Sequence, residues 1–343
     1  MRNIKSIKTQ QVAIIAALVF LLFGMRGYAY SEKEIVKTYP VKQAIQLNTI
    51  DGSCTVKAYK GEEIKVRFTH SYSNTTFEPQ FLEEGDTLVL KEKFHVSGSG
   101  ESSWELEVPE NTEIKFATIS GDFSITGLNG KLEATSVSGT VTAKNCSGEL
   151  ELKSANGGLE MENLSGNLIV SGSDSDMSIE NATGNIEIRT HNGDLEAEKL
   201  EGSIMVKSPS GDVTLNDCKG RFDIRTASGD IEAFNILIEK KSMFKAASGD
   251  IEITLAKNTA HDLVLDTASG NILLNYKGNP IEGYFEFKST AVNSDFISPY
   301  PFEKEEETEV WGKKFVVKGF QRVFNEPKIC LYTSSGKVEL KEK

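Results

Sequence analysis

From about residue 118 onward, apolar side chains fall two and four places after a glycine, with polar residues between them. Leu150 and Leu152 follow Gly148, Leu168 and Val170 follow Gly166, and Ile186 and Ile188 follow Gly184. Glu149, Glu151, Glu187 and Arg189 stand between or beside them. This period of two predicts short strands, each buried on one face. The glycines themselves sit on a nine-residue grid from Gly121 to Gly229, missed once, at Ser175. Two kinds of half-repeat alternate. One carries a turn such as Ser210-Gly211-Asp212, the other a turn such as Asn163-Leu164-Ser165-Gly166, and together they form an 18-residue unit. The seventh residue after each glycine is mostly apolar (Leu128, Val137, Cys146, Ala155, Leu164) and is predicted to point inward, as is His191 in the same slot.

One such unit cannot bury enough surface to offset the entropy of ordering it, but stacked units can, each covering the next. The chain is therefore predicted to be all-β: a parallel β-solenoid with two strands per 18-residue coil, rising about 4.8 Å per coil. Right-handed coiling is expected, because parallel crossovers favour that hand. The glycines are expected to supply positive φ in the turns.

The pattern divides the chain. Residues 1–29 read as a signal peptide, with Arg2, Lys5 and Lys8, then an apolar run over Val12–Met25, then the small-x-small site Gly27-Tyr28-Ala29. That run is shorter than the ~20 residues of a membrane span. Residues 30–117 alternate irregularly and form a lead-in β segment and N-terminal cap. Residues 118–298 hold the solenoid, whose grid loosens after Gly229. Residues 299–343 hold an insertion, 299–324, rich in aromatic and acidic residues, and a closing strand over Ile329–Leu340. Function is to be sought where the grid breaks: near Ser175, after Gly229 and above all in 299–324.

The net charge of −12 becomes −16 once the four basic residues of 1–29 are removed. An acidic surface opposes nucleic-acid binding and simple docking on anionic lipid, so a membrane is reached only through an uncleaved N-terminal segment. The four cysteines form no disulfide framework. Cys146 and Cys218 share one slot four coils apart, beyond bonding reach, and Cys54 and Cys330 lie in opposite end segments.

Several stretches together resemble a known family. They are Asp51-Gly52-Ser53-Cys54-Thr55-Val56, Gly61-Glu62-Glu63-Ile64-Lys65-Val66, Leu106-Glu107-Val108-Pro109, the Ser-Gly-Asp turns, and Thr333-Ser334-Ser335-Gly336-Lys337-Val338. In this order they resemble the bacterial "putative adhesin" β-solenoid family, domain of unknown function 4097. The resemblance implies an exported β-solenoid with an adhesion role and no catalytic residues. The insertion at 299–324 departs from the compact ending of the family.

Four candidate features remain. Asp122, Asp176, Asp194, Asp212, Asp230 and Asp250 would stack along one corner. A calcium ladder on Asp194, Asp212, Asp230 and Asp250 is one reading, but the chain lacks the second glycine and ligand row of calcium nonapeptides. The other reading has Ser and Asp bonding the backbone of their own turn. Ladders of Ser/Thr (Thr118, Ser136, Ser154, Thr190, Ser208, Thr226) and Asn/Asp (Asn145, Asn163, Asn181, Asp217) are expected to bond from coil to coil. Outer faces carry acids such as Glu160 and Glu196 on one side and Glu–Lys/Arg pairs on the other. Tyr300, Phe302, Trp311 and Phe315 are either a partner-binding set or a plug over the last coil. No nucleophile, phosphate loop or metal-ligand spacing appears, so no catalytic residue and no cofactor is assigned. The expected function is a non-enzymatic adhesion, binding or structural module at the cell envelope, partnered by a protein or glycan. The location would be the periplasm, the outer surface or the extracellular space. The alternatives are a periplasmic scaffold or sensor and, third, a polysaccharide-active enzyme.

Overall fold

The computed structural model describes residues 32–290, 294–310 and 312–343; residues 1–29 and Trp311 lie outside them. The described residues form 29 strands and no helix. In the central stack each coil has one longer and one shorter strand. Asn129–Ser136 runs parallel to Ser147–Ser154, with Leu132 opposite Leu150. Val141–Lys144 runs parallel to Leu159–Gly172, with Val141 opposite Leu159. The step is therefore 18 residues. It lengthens to 20 at Ile231 against Ile251 and to 21 at Ile251 against Ile272, as the loosened grid requires. The apolar positions two and four after each glycine line one continuous core between the two sheets.

The corners explain the grid. At the Asn corner, Asn145, Asn163, Asn181 and Asn235 have φ between +52° and +58°, a region that asparagine tolerates better than most residues. Their amides bond along the axis, Asn163 Nδ2 to Asn145 Oδ1 at 3.0 Å and Asn181 Nδ2 to Asn163 Oδ1 at 2.6 Å. After Asn145, Asn163 and Asn181 the glycine three residues on also has positive φ, for example +113° at Gly166. At the Ser-Gly-Asp corner, from Gly121 to Gly229, the glycines are needed for a different reason than positive φ. A Cβ on Gly157 would lie 2.1 Å from the carbonyl oxygen of Gly139, and one on Gly211 2.2 Å from that of Gly193. Glycine sits there because successive turns touch backbone to backbone.

Three expectations about the corners are corrected. The seventh slot is inward only at the Asn corner, where Leu128, Cys146 and Leu164 are buried; Val137, Ala227 and His191 of the other corner are exposed. The turn between the sheets reverses the alternation there, and the preceding residue takes the inward place. That place holds the Ser/Thr ladder, which bonds mainly within its own turn: Ser136 Oγ accepts from Gly139 N at 2.8 Å and Thr190 Oγ1 from Gly193 N at 3.1 Å, while Thr118 Oγ1 also accepts across coils from Thr49 Oγ1 at 2.8 Å. The aspartates do the opposite and bond to the neighbouring coil. The missed slot at Ser175 is a local exchange. Gly172 occupies the Ser/Thr place, and Ser175, 1 % exposed, turns its own hydroxyl inward to Ser154 O at 3.3 Å.

Both ends depart from chain order. At the N-terminal end the coil formed by Ala44–Asn48 and Ser53–Tyr59 lies between a later one, Thr87–Phe94 with Ser102–Pro109, and the coil of Glu113–Thr118 with Phe123–Thr126. Antiparallel strands extend the edges: Glu63–His70 and then Lys33–Pro40 on one sheet, Phe77–Glu84 on the other. At the C-terminal end the last strands, Lys328–Thr333 and Gly336–Lys341, insert between the coil of Leu263–Ser269 with Ile272–Asn275 and that of Gly283–Thr290 with Ser294–Ile297. Aromatic residues close both ends of the core, Trp104, Phe68, Phe77 and Tyr72 at one and Phe285, Phe287 and Phe320 at the other.

All four cysteines are free thiols. Burial pushes the Cys218 thiol up to about 11 and raises Cys146 and Cys54 as well. They are packing groups rather than nucleophiles.

Candidate functional site

The acidic column at the Ser-Gly-Asp corner is a hydrogen-bonding ladder. Asp212 N donates to Asp194 Oδ1 at 2.9 Å, Asp230 N to Asp212 Oδ1 at 2.9 Å, and Asp250 N to Asp230 Oδ1 at 2.7 Å. Asp194 N likewise reaches Asp176 Oδ1 at 3.2 Å, and Asp250 Oδ1 accepts from Asn271 N at 2.7 Å. Each carboxylate thus has one oxygen tied to the backbone of the next coil, where a charge-assisted bond is stronger than a neutral one. Among the described residues no group of three or more His, Cys, Asp or Glu side chains is placed to hold a metal ion. Removing calcium with a chelator is therefore expected to leave the thermal midpoint unchanged, and a fall of several degrees would restore the calcium-ladder reading.

The outer faces carry exposed ion pairs between residues two apart, such as Arg225 Nε to Asp223 Oδ1 at 2.8 Å and Arg189 Nη2 to Glu187 Oε1 at 2.5 Å. Lys144 meets Glu162 across coils at 2.9 Å. Ion pairs at the surface, screened by solvent, contribute little to stability.

Two antiparallel strands extend the sheet edge near the C-terminal end. Lys304–Val310 pairs antiparallel with Lys313–Arg322, which pairs antiparallel with Gly283–Thr290. Phe320 is buried and stacks on Phe285 at 4.9 Å. Tyr300 and Phe302 are partly buried against the core beside Phe320, and the Arg322 guanidinium lies 4.2 Å from the Tyr300 ring. Phe315 is on the other face of these strands, half-buried, under Lys288 at 4.9 Å. Tyr300 and Phe302 therefore stand apart from Phe315, and the first two cover the end of the core. The edge strand carries Glu305, Glu306, Glu307 and Glu309, all exposed, and such charge hinders addition of further strands.

The concentration of buried polar chemistry is at the other end. A cleft of about 910 Å³ opens beside the first Ser-Gly-Asp-type turn, at Asp51 and Ser53. Its walls come from the end of Glu63–His70, the start of Ser102–Pro109 and the loop between Phe94 and Ser102. Beneath it Glu92 is 8 % exposed and accepts from Ser102 Oγ at 2.6 Å, Trp104 Nε1 at 3.1 Å and Ile50 N at 2.8 Å. These donors compensate the burial of a carboxylate. Gly52 passes directly over Glu92; a Cβ there would lie 2.1 Å from Oε1. His70, 4 % exposed, borders the cleft and packs against Phe68 and Phe77 at 5.4 and 5.0 Å between ring centres. Burial and the nearby Lys33 ammonium lower its pKa, against a hydrogen bond with the Tyr72 backbone, and its Nδ1, closed off from solvent, has no hydrogen-bond partner. Sequence reasoning missed this cleft because its residues come from separate parts of an irregular segment. The one local signal is the run Ser97-Gly98-Ser99-Gly100, too small and polar for a strand.

No curated protein matches the chain. Three solved structures are similar to it at low identity. A Clostridium sporogenes "putative cell adhesion protein" is 11 % identical, covering 91 % of this chain and 100 % of its own, with a TM-score of 0.21. A Parabacteroides distasonis "putative lipid binding protein" is 14 % identical over 90 % and 96 %, with a TM-score of 0.32. A Bacteroides fragilis "putative adhesin" is 13 % identical over 90 % and 96 %, with a TM-score of 0.26. The sequence pattern of one family matches residues 42–295, most of the central stack and its lead-in. The chain belongs to the Toastrack DUF4097 family.

Proposed function

We propose that this protein is an exported, non-enzymatic β-solenoid that serves as a binding or structural module at the cell envelope. The observation that carries this reading is the engagement of the periodic acids. The column that would supply paired carboxylates for chemistry is instead tied, coil by coil, to backbone N–H groups. What the stack presents is its surface: two long polar faces with shallow grooves along them and a cleft at its N-terminal end. Export rests on the basic and apolar pattern of residues 1–29, and adhesion on the family resemblance. A binding module of this kind needs a rigid frame, which a stack with apolar ends closed by aromatic residues provides.

Treating intact cells with an added protease tests the reading. Degradation of the protein in intact cells is the expected result. Protection until the envelope is opened would favour the periplasmic scaffold, and recovery in the cytoplasmic fraction would overturn export altogether.

A further inference from the structure

We propose that two copies of this chain associate side by side through the Ser-Gly-Asp corner, with their stacks parallel. This adds an assembly to the binding-module reading and does not depend on it.

The ridge of that corner is apolar and open to solvent. Ile50, Ile119 and Val137, exposed by 36, 52 and 42 %, occupy successive coils of it, linked by bonds from Ser120 N to Ile50 O and from Ser138 N to Ile119 O. Ala155 follows, half-buried. After Ser173 and His191 the ridge continues as Pro209, Ala227, Ala247 and Ala268, all exposed. No carboxylate, lysine or arginine stands on it from Ile50 to Ala268. Exposed apolar surface gathered in one place, rimmed by polar residues, marks an interface core.

Charge lines both flanks of the ridge. On one flank Arg189, Lys207, Arg225 and Lys245 face outward in register on adjacent longer strands, about 4.8 Å apart. Like charges directly opposite one another are destabilising. Arg189, Arg225 and Lys245 are each relieved by one acid, Glu187, Asp223 and Asp266 respectively. Lys207 makes no ion pair among the described residues, because Met205 stands where Glu187 and Asp223 stand on the neighbouring coils. On the other flank is the exposed column of Asp194, Asp212, Asp230 and Asp250. One hydrogen bond from the next coil leaves each of these carboxylates its charge.

Both columns repeat with the coil step, and they lie on opposite sides of the ridge. A half-turn about an axis parallel to the ridge therefore brings ridge to ridge. It sets the cations of each copy against the aspartates of the other, on both sides at once. A half-turn about an axis across the ridge would set cations against cations, which disfavours antiparallel stacks. A polyanion would engage the cations alone, and a basic partner the aspartates alone. A second copy satisfies both columns and covers the apolar ridge between them.

Sedimentation equilibrium of the purified protein tests the association. At about 100 µM the expected state is a dimer, with a Kd of about 10 µM. Raising the salt to about 1 M, where the screening length falls to about 3 Å, should weaken it at least tenfold. The double variant Lys207→Glu, Arg225→Glu should melt like the parent and remain monomeric. Cysteine crosslinking tests the parallel arrangement, in a Cys330→Ser background so that only the added thiol is accessible. Val137→Cys should crosslink to its own copy under oxidation, and so should Ala227→Cys, because a parallel pair places each ridge position against itself. A monomer at every concentration, a dimer indifferent to salt and to the charge reversal, or crosslinks formed only between the Val137→Cys and Ala227→Cys chains when mixed would overturn the proposal.

Discussion

Removing residues 328–343 is expected to unfold the C-terminal third of the protein, although the deletion takes only the end of the chain. The last two strands lie between two other coils. They contribute Ile329, Leu331, Val338 and Leu340, each 0–2 % exposed. At about 1.5–3 kcal/mol for each fully buried side chain, their loss costs about 6–12 kcal/mol. That is comparable with the ~5–15 kcal/mol that stabilises a whole domain. The deletion also strips pairing from four strands, two on each side. The truncated protein should aggregate or melt more than about 10 °C lower than the parent. A midpoint within about 3 °C of the parent would mean that Gly283–Thr290 can dock directly on Leu263–Ser269, against the topology described here.

A single methyl group should separate two adjacent glycines. In Gly157→Ala the new Cβ would lie 2.1 Å from the Gly139 carbonyl oxygen, a backbone atom held by the coil below. The two coils would have to move apart by about 1 Å to reach ordinary contact, at the expense of ladder bonds on both sides. Overpacking in a well-packed core costs about 1–3 kcal/mol, and here rigid backbone is on both sides, so at least ~3 kcal/mol is expected. In Gly158→Ala the nearest atom is Thr140 Cγ2 at 3.7 Å, and φ lies outside the left-handed region. That change should be neutral or slightly stabilising, since alanine narrows the unfolded ensemble. Denaturant melts of the two variants measure the difference. Equal stabilities would contradict backbone contact as the reason for the glycine grid.

The regular stack was legible in the sequence because one rule repeats. A buried position two and four residues after each glycine cannot be met by a helix, and the 18-residue spacing carries the register directly. Its finer chemistry was less legible. Serine and aspartate in one turn have the same capacity to bond nearby backbone, and only geometry shows that Ser136 turns to Gly139 N while Asp212 reaches Asp230 N in the next coil. The seventh slot misled for a similar reason. Val137 and Leu164 are both apolar, yet a turn between sheets reverses which of the two alternating faces is inward.

The end segments were the least legible. Spatial order departs from chain order at both ends, and no local pattern encodes which coil inserts between which. The same holds for the cleft: His70, Glu92 and Ser102 each read as ordinary members of strands. Their significance arises from long-range pairing of Glu63–His70 with Ser102–Pro109. The aromatic insertion drew attention by composition, but composition cannot separate a core cover such as Phe320 from a half-buried face residue such as Phe315.

At the centre of this account is a continuous two-sheet stack whose first and last coils are clipped inside it. Amide hydrogen exchange read peptide by peptide tests that claim most directly. Chain ends ordinarily fray and exchange fast. Here residues 328–341 and 44–59 should be as slow as the mid-stack strands Glu201–Ser208 and Lys219–Thr226, because each is hydrogen-bonded on both sides. Fast exchange over 328–341 with slow exchange over 263–275 would contradict it.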